Sequence, residues 1–249
     1  MNAGIKKFKV KDKAGVTKEF TQMHDMNVFR PIEVESLTYD KKKKALSSLM
    51  FLKEKRDSSV KAHMCADGRK QKDGTWAKQD MTSPTVATEL VFITAIVDAH
   101  KGRDVACFDI PGAFLHADID EDITMVLKGR LAELMVQVAP NLYRKYITVD
   151  RKGMAILYVK MQKALYGLLR SALLIYNKLV ADLESDGFLL IPYDLCMASV
   201  DGKQMMVCWH VGNLKVSHCD PAQVTIFGEW LSEKYGVAVA THRGKVHDC

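Results

Sequence analysis

Asp109 is the side chain whose place in the sequence most suggests chemistry. It lies near the end of a short β-like segment, Asp104 to Ile110, which the Pro111-Gly112 pair interrupts. A carboxylate at the end of a strand can hold a hard cation such as Mg²⁺. An aspartate in such a place is equally often a turn former. The local pattern therefore leaves both interpretations open.

A second set of possible ligands consists of histidines and cysteines in the C-terminal part of the chain: His210, His218, Cys219, His242, His247 and Cys249. The spacing from His242 to His247 and Cys249 imitates a zinc site only loosely, because the short paired spacings of established zinc motifs are missing. No nucleophile-elbow sequence indicates a Ser-His-Asp or Cys-His hydrolase. A metal-binding or hydrolytic protein remains an alternative with little support.

Composition limits the classes to which the protein can belong. The chain has 249 residues, 48% of them hydrophobic, and a formal net charge of +6, which favours anionic partners. Its six cysteines form no Cys-x-x-Cys pair, and no secretory leader opens the sequence, so we expect reduced thiols in an intracellular protein, cytoplasmic or nuclear and not secreted. No apolar run reaches the ~20 residues of a membrane-spanning helix, so we expect no membrane partner.

Several elements must position these side chains. The first sixty residues are lysine-rich with thin hydrophobic patterning. A helix is predicted with Ser83 as N-cap, Pro84 at its first position, Gly102 as its stop, and a core face of Val86, Leu90, Ile93 and Val97. Further predictions are a short helix at 131–138, a strand at 155–160, and an amphipathic segment ending near Gly187 with a face of Leu165, Leu169, Ala172, Tyr176, Val180 and Leu183.

The following region is typical of a β-meander. It has strands at 196–200, 204–210 and 214–218, with turns at Asp201-Gly202 and around Gly212-Asn213. Asp220-Pro221 then begins a helix that Gly236 ends, and a last strand is predicted from Val237 to His242. Helices mixed with antiparallel strands predict an α+β fold in which helices cover one face of the sheet.

Five stretches, in order along the chain, resemble the reverse-transcriptase domain of Ty1/copia-type retrotransposon polyproteins. That family shows a Lys-Ala-Arg segment, a Ser-Pro-Val helix start, Asp-Val-Lys-Thr-Ala-Phe-Leu, Lys-Ala-Leu-Tyr-Gly-Leu and Tyr-Val-Asp-Asp-Leu. The matching stretches here are VKAHMCADGRKQ from Val60, TSPTVATELVFITAIVDAH from Thr82, CFDIPGAFLHADIDEDITM from Cys107, KALYGLLRSALLIYNKL from Lys163 and CWHVGNLKVSH from Cys208.

The resemblance implies a right-hand polymerase architecture of fingers and palm. Residues 1–80 would be a basic N-terminal segment and fingers, and residues 81–249 the palm, with finger elements around 120–160. The family's thumb and RNase H domains would be absent. The implied activity is RNA-directed DNA synthesis with Mg²⁺, and the implied partners are an RNA template, a DNA primer and a deoxynucleoside triphosphate.

The resemblance also assigns site residues. Asp109 would hold the catalytic magnesium ions, with the carbonyl of Ile110 as a second ligand. Phe114 would pack under the sugar of the incoming nucleotide, although the plain alternative is a core residue. Lys61 would contact the triphosphate, and the segment containing Lys163, Tyr166 and Gly167 would help to hold template and primer.

Three departures from the family pattern qualify this assignment. The Asp-Asp pair is replaced by Gly212 and Asn213, the family's fingers arginine is His63, and Gln-Ala-Pro-Arg is replaced by the sequence from Arg170 to Leu173. Two magnesium ions ~4 Å apart repel by something on the order of 15 kcal/mol at an effective dielectric of ~20, so a single aspartate cannot balance them. We therefore expect a catalytically inactive copy with weakened or lost Mg²⁺ binding. The alternative is a non-catalytic module that binds nucleic acid without sequence preference.

Overall fold

The computed structural model describes the backbone of residues 2–72, 77, 81–200, 204–236 and 239–245, and the side chains of these residues apart from 2–12, 72, 239–241 and 245. The helices within this part of the chain are α1 (Asn2–Asp25), α2 (Tyr39–Lys44), α3 (Thr88–His100), α4 (Arg130–Val138), α5 (Pro140–Tyr143), α6 (Ser171–Ser185) and α7 (Pro221–Tyr235). The strands are β1 (Phe29–Pro31), β2 (Leu46–Glu54), β3 (Val60–Ala66), β4 (Asp104–Asp109), β5 (Thr124–Lys128), β6 (Thr148–Val149), β7 (Ala155–Met161), β8 (Phe188–Ile191), β9 (Asp194–Val200), β10 (Met206–His210), β11 (Asn213–His218) and β12 (Val239–Lys245).

The chain divides into two compact units, each with its own six-stranded sheet. The first unit combines residues 1–78 with 117–171, and the second combines 79–116 with 172–249. The mixture of helices and mainly antiparallel strands confirms the predicted α+β class. The assignment of fingers to 1–80 and of palm to 81–249 stays a prediction.

In the first unit the strand order is β1-β7-β5-β2-β3, with β6 pairing β7. All pairs are antiparallel except β2 with β5. Helix α1 packs on β3 and β2 through buried Val16, Phe20 and Met23, which recur at helical spacing. Gly15 lets the helix approach closely, since a Cβ there would lie 2.5 Å from the Val60 carbonyl oxygen. The few apolar residues of this lysine-rich sequence are thus sufficient to anchor the helix.

In the second unit the sheet is entirely antiparallel, in the order β12-β4-β11-β10-β9-β8. Helix α7 covers one face, where a Cβ at Gly228 would lie 2.8 Å from the Phe108 ring. Lys215 belongs to the opposite face, because it follows Leu214, the cross-strand partner of Phe108. Its ammonium binds Thr94 and Asp98 of α3. Helices therefore contact both faces of this sheet, and the prediction of one covered face was incomplete.

Helix α3 differs from its prediction in both its start and its buried face. The N-cap is Ala87 and not Ser83, and the Ala87 amide donates to the Asp194 carboxylate (2.9 Å). Ile93, predicted for the core, is 52% exposed, whereas Thr94 and Asp98 are buried. The reason is the ion pair from Asp98 to Lys215, which turns the polar side of the helix toward the sheet. The predicted stop was right: Gly102 has a φ of +59°.

Helix α6 begins later than the amphipathic pattern indicated. The segment from Leu165 to Arg170 is not helical, and the Ser171 hydroxyl accepts from the Leu165 amide (3.1 Å). The buried residues of the helix are Ser171, Ile175, Leu179 and Leu183, so the predicted face was wrong except for Leu183. The predicted helical spacing started at Leu165, which belongs to the turn before the helix, so the face it gave was the wrong one.

The remaining predictions agree more closely with the structure. Strands β9, β10 and β11 form the expected meander, although the turn at Asp201-Gly202 lies outside the described residues. The second turn is Val211-Gly212, one residue earlier than predicted, because Asn213 already pairs with His210. Helix α7 begins as expected, with the Asp220 carboxylate accepting from the Ala222 amide (2.9 Å), and its C-cap is Gly236.

Candidate functional site

The tight turn of the β10–β11 hairpin lies beside the end of β4. In the register of the two strands, Asn213 is the direct partner of Asp109. The Ile110 amide donates to the Gly212 carbonyl (2.8 Å), which fixes the turn against the residue that follows Asp109. Side chains of direct partners in an antiparallel pair lie on the same face, with Cβ atoms ~5 Å apart. Two sequence-predicted positions from distant parts of the chain therefore meet.

The turn itself is tightly packed. Val211 has a φ of +55°, a conformation that costs a β-branched residue ~1 kcal/mol or more. Gly212 is buried, and a Cβ there would lie 2.7 Å from the Cβ of Ala113 and 3.3 Å from the Ile110 carbonyl oxygen. An aspartate at residue 212 would therefore require Ala113 or the backbone to move. The sequence, which favours Gly-Asn as a turn pair, gives no sign of this obstacle.

The groups around this turn offer few ligands to a cation. Asp109 and Asn213 are both exposed, so one carboxylate and one neutral amide face solvent together. Within the described residues, no group of three or more His, Cys, Asp or Glu side chains could hold a metal ion. A pair of magnesium ions needs several carboxylates to offset their mutual repulsion. The donor set described here does not fit two such ions.

The other predicted residues of the second unit are buried. Ile110 is 2% exposed and Phe114 is 9% exposed, the latter in a short 3-10 helix, Ala113–His116. This burial agrees with the simpler interpretation of Phe114 as a core residue. The histidine-based alternative gains nothing: the ring of His218 accepts from the Asp220 amide (2.8 Å), and His247 and Cys249 lie outside the described residues.

In the first unit, Lys61 lies on the exposed face of β3, directly opposite Lys53 of β2. His63, on the same face, is within 3.6 Å of the Glu19 carboxylate and meets the Tyr166 ring edge-on at 4.0 Å. Burial lowers the pKa of His63 in spite of Glu19, so the ring is neutral near pH 7. A neutral imidazole is a weaker phosphate ligand than the arginine that the Ty1/copia family has at the corresponding position.

The segment predicted to hold template and primer has a clear packing role. Lys163 forms an ion pair with Asp118 (2.6 Å). The Tyr166 carbonyl accepts from the Ala66 amide (2.8 Å), which attaches the segment to the end of β3. Gly167 has a φ of +89°, and a Cβ there would lie 2.1 Å from the Ala66 carbonyl oxygen. Gly68 completes the contact, since its Cβ would lie 2.0 Å from the Gly167 carbonyl oxygen.

Sequence reasoning missed the buried charges of the second unit. Asp98 has no exposed surface and lies 2.5 Å from the Lys215 ammonium and 3.5 Å from the Arg103 guanidinium, which is itself buried. The Thr94 hydroxyl accepts from the same ammonium (2.9 Å). A polar pair four residues apart, Thr94 and Asp98, was the available signal, but the apolar periodicity of the same helix concealed it.

No helix in the described part of the chain has both the length and the apolar character needed to cross a membrane. Comparison with known protein families gave no matching family, and comparison with curated proteins gave no significant match. The residues of the chain and their geometry are therefore the basis for inferring a function.

Proposed function

We propose that the chain is an RNA-directed DNA polymerase domain of the Ty1/copia type by descent, and that it no longer polymerises DNA. The observation that carries the proposal is the register of β4 with β11, which pairs Asp109 with Asn213 beside a two-residue turn. In the resembling family these positions hold a palm aspartate and the second aspartate of the Asp-Asp pair. If the resemblance of these two stretches were due to chance, there would be no reason to expect Asp109 and Asn213 to be direct cross-strand partners.

The loss of activity follows from charge. Two magnesium ions bring four positive charges, and the pair Asp109 and Asn213 supplies one negative charge. The amide oxygen of Asn213 can accept a cation without neutralising it. Gly212 supplies no side chain, and Ala113 occupies the space into which one would project. The residues that remain hold the hairpin in place but cannot assemble two metal ions.

The test is primer extension on an RNA template with Mg²⁺. The variants are Asn213→Asp alone and the triple variant Gly212→Asp, Asn213→Asp, Ala113→Gly, in which the last change removes the methyl group 2.7 Å from a Cβ at residue 212. The matched control adds Asp109→Asn to the triple variant. Binding of Mn²⁺ to each protein, followed by water-proton relaxation, gives a second readout that does not require polymerisation.

We expect the chain as it stands to extend no primer and the triple variant to bind Mn²⁺ and to extend the primer. Asp109→Asn should abolish both gains, because it removes the carboxylate that would hold the ions. Extension by the unmodified chain would refute the proposed inactivity. A correctly folded triple variant that binds no Mn²⁺ would refute the assignment of Asp109 and the hairpin to a polymerase site.

A second candidate function, non-catalytic binding of single-stranded nucleic acid, has one observation in its favour. On the open face of the first sheet, Phe51 of β2 is 59% exposed and lies opposite His63, while Lys53 lies opposite Lys61. Like charges directly opposite each other repel, and an anion between them relieves that repulsion. An exposed aromatic ring beside such a pair matches the combination of base stacking and phosphate contact used for single strands.

Fluorescence anisotropy with a labelled single-stranded RNA tests this candidate. Phe51→Ala should weaken binding by ~1 to 3 kcal/mol, and Lys53→Gln and Lys61→Gln should each reduce the slope of log K against log salt by ~0.7. The matched controls are Tyr39→Ala, which removes a ring that is 78% exposed, and Lys152→Gln in an exposed hairpin. Equal losses in the controls and in the sheet variants would exclude this surface as the binding site.

A further inference from the structure

Helix α3 presents an apolar surface to solvent. Phe92 is 66% exposed, Ile93 52% and Ile96 68%. Residues spaced by three and four positions share one side of a helix, so the three side chains form a continuous stripe. An exposed stripe of large apolar side chains on one element is typical of an interaction surface, unlike single exposed apolar residues.

The helix cannot relieve this exposure by rotating. Its opposite side is fixed by the Lys215 ammonium, which binds the Asp98 carboxylate at 2.5 Å and the Thr94 hydroxyl at 2.9 Å. Rotation would carry the buried Asp98 away from its partner and leave the lysine uncompensated. The amide of Ala87, at the N-cap, is also held by Asp194. The outward orientation of the apolar side is therefore set by buried polar contacts.

Exposed apolar side chains also occur on the hairpin that binds the start of the helix. Asp194, which binds the start of α3, is flanked in the sequence by Tyr193 and Leu195, which are 91% and 52% exposed. Leu189, on the neighbouring strand β8, is 61% exposed. The hairpin joined to the start of α3 thus carries further exposed apolar side chains in addition to the stripe on the helix.

We propose that a second copy of this chain covers the surface, with the two α3 helices antiparallel about a twofold axis. When the axis passes between Thr94 and Ala95, Ile93 of one copy is opposite Ile96 of the other. The same alignment sets Glu89 of one copy opposite His100 and Lys101 of the other, and all three are exposed. The alignment therefore matches apolar with apolar and acidic with basic side chains.

The antiparallel arrangement has further physical support. A twofold axis repeats each contact, so every Glu89 faces a basic end and every apolar residue is used twice. Antiparallel helices also place the negative C-terminal end of one beside the positive N-terminal end of the other. A single helix pair with an adjacent hairpin is small among stable interfaces, so the dimer should be weak and concentration-dependent. The inference does not depend on the proposed polymerase ancestry.

Sedimentation velocity of the whole chain over a range of concentrations tests the proposal. We expect a reversible shift from the 28.0 kDa monomer to a dimer as concentration rises. Ile96→Lys should weaken association at least ~100-fold, because the substitution occurs twice across the interface. The matched control is Ile226→Lys, at another helical isoleucine that is 54% exposed, on α7. It should leave association unchanged.

Exchanging the charges of Glu89 and His100 distinguishes loss of a specific contact in the dimer from loss of folding. Glu89→Lys and His100→Glu should each weaken the dimer, since each brings like charges together, and the double variant should restore it. Circular dichroism verifies that each protein is folded. A chain that stays monomeric at ~100 µM, or is monomeric and adsorbs to neutral lipid vesicles through Ile96, overturns the proposal. Equal effects of Ile96→Lys and Ile226→Lys, or a double variant that fails to restore association, also overturn it.

Discussion

Replacing Gly167 by alanine is expected to destabilise the first unit by about 3.5 kcal/mol, from three destabilising terms and one smaller stabilising term. The left-handed φ of +89° costs an alanine ~1 kcal/mol. The new Cβ, 2.1 Å from the Ala66 carbonyl oxygen, forces apart two backbone segments, for ~1 to 3 kcal/mol. That displacement also weakens the hydrogen bond from the Ala66 amide to Tyr166, worth ~1 kcal/mol. The reduced entropy of the unfolded alanine chain returns ~0.5 kcal/mol.

Two other glycines of the same unit serve as controls. Gly153 also has a positive φ, +76°, but a Cβ there would have no atom within 4 Å. Gly153→Ala therefore carries the conformational term alone and should cost ~1 kcal/mol. A Cβ at Gly68 would lie 2.0 Å from the Gly167 carbonyl oxygen, so Gly68→Ala carries the steric term without a left-handed φ. It should cost ~1 kcal/mol less than Gly167→Ala, because the conformational term is missing.

The assay is urea unfolding followed by far-UV circular dichroism, because two of the three tryptophans, Trp209 and Trp230, belong to the second unit and fluorescence would weight that unit. Comparable m-values among the variants would show that the same surface unfolds in each. If Gly167→Ala costs no more than Gly153→Ala, the close contact with Ala66 is not a determinant of stability. The structural interpretation of this segment would then be refuted.

Three further outcomes are expected. Asp98→Asn should destabilise the second unit by ~3 kcal/mol in urea unfolding, because it leaves Lys215 and Arg103 without their buried counter-charge; an effect below ~1 kcal/mol would contradict the role given to the ion pair. Burial lowers the pKa of His63, so the stability that the neutral ring contributes is complete above the unfolded-state pKa of ~6.5 and is lost as the pH falls through the lower folded-state pKa. His63→Gln should remove this loss of stability at acid pH. An NMR titration midpoint of His63 at or above ~6.5 would refute the prediction. Asp220→Ala should cost ~1 kcal/mol through loss of the α7 N-cap, and Asp220→Asn, which keeps a capping oxygen, should cost much less.

Local sequence signals predicted well the elements whose ends depend on a single residue. Asp220-Pro221 and Gly236 gave the start and end of α7, because a capping side chain and a positive φ act within one turn of the chain. The strand ending near Asp109 and the meander with its turn near Gly212 were also predictable, since β-period and turn residues are local features. Each of these predictions needed no knowledge of what the element packs against.

Prediction failed where a distant residue decided the outcome. Ile93 of the predicted core face of α3 is exposed, and the fully buried side of the helix is the one on which Asp98 binds Lys215 of β11. The amphipathic pattern through Leu165 was mistaken for helix, because the turn before α6 is held by Ser171 and by contact with β3. Hydrophobic periodicity describes one segment and contains no information on which partner that segment meets.

The sequence by itself determined the class of fold, the positions of most strands of the second unit and the identity of the residues at the candidate site. It also determined the chemistry available there, because neither Gly212 nor Asn213 carries a carboxylate. Only the tertiary structure decided that Asn213 is the partner of Asp109, and that Ala113 blocks a side chain at residue 212. It alone decided which side of α3 faces solvent. Residue types fix what a group can do, whereas proximity depends on strand register and helix rotation, which are set by contacts between residues far apart in the chain.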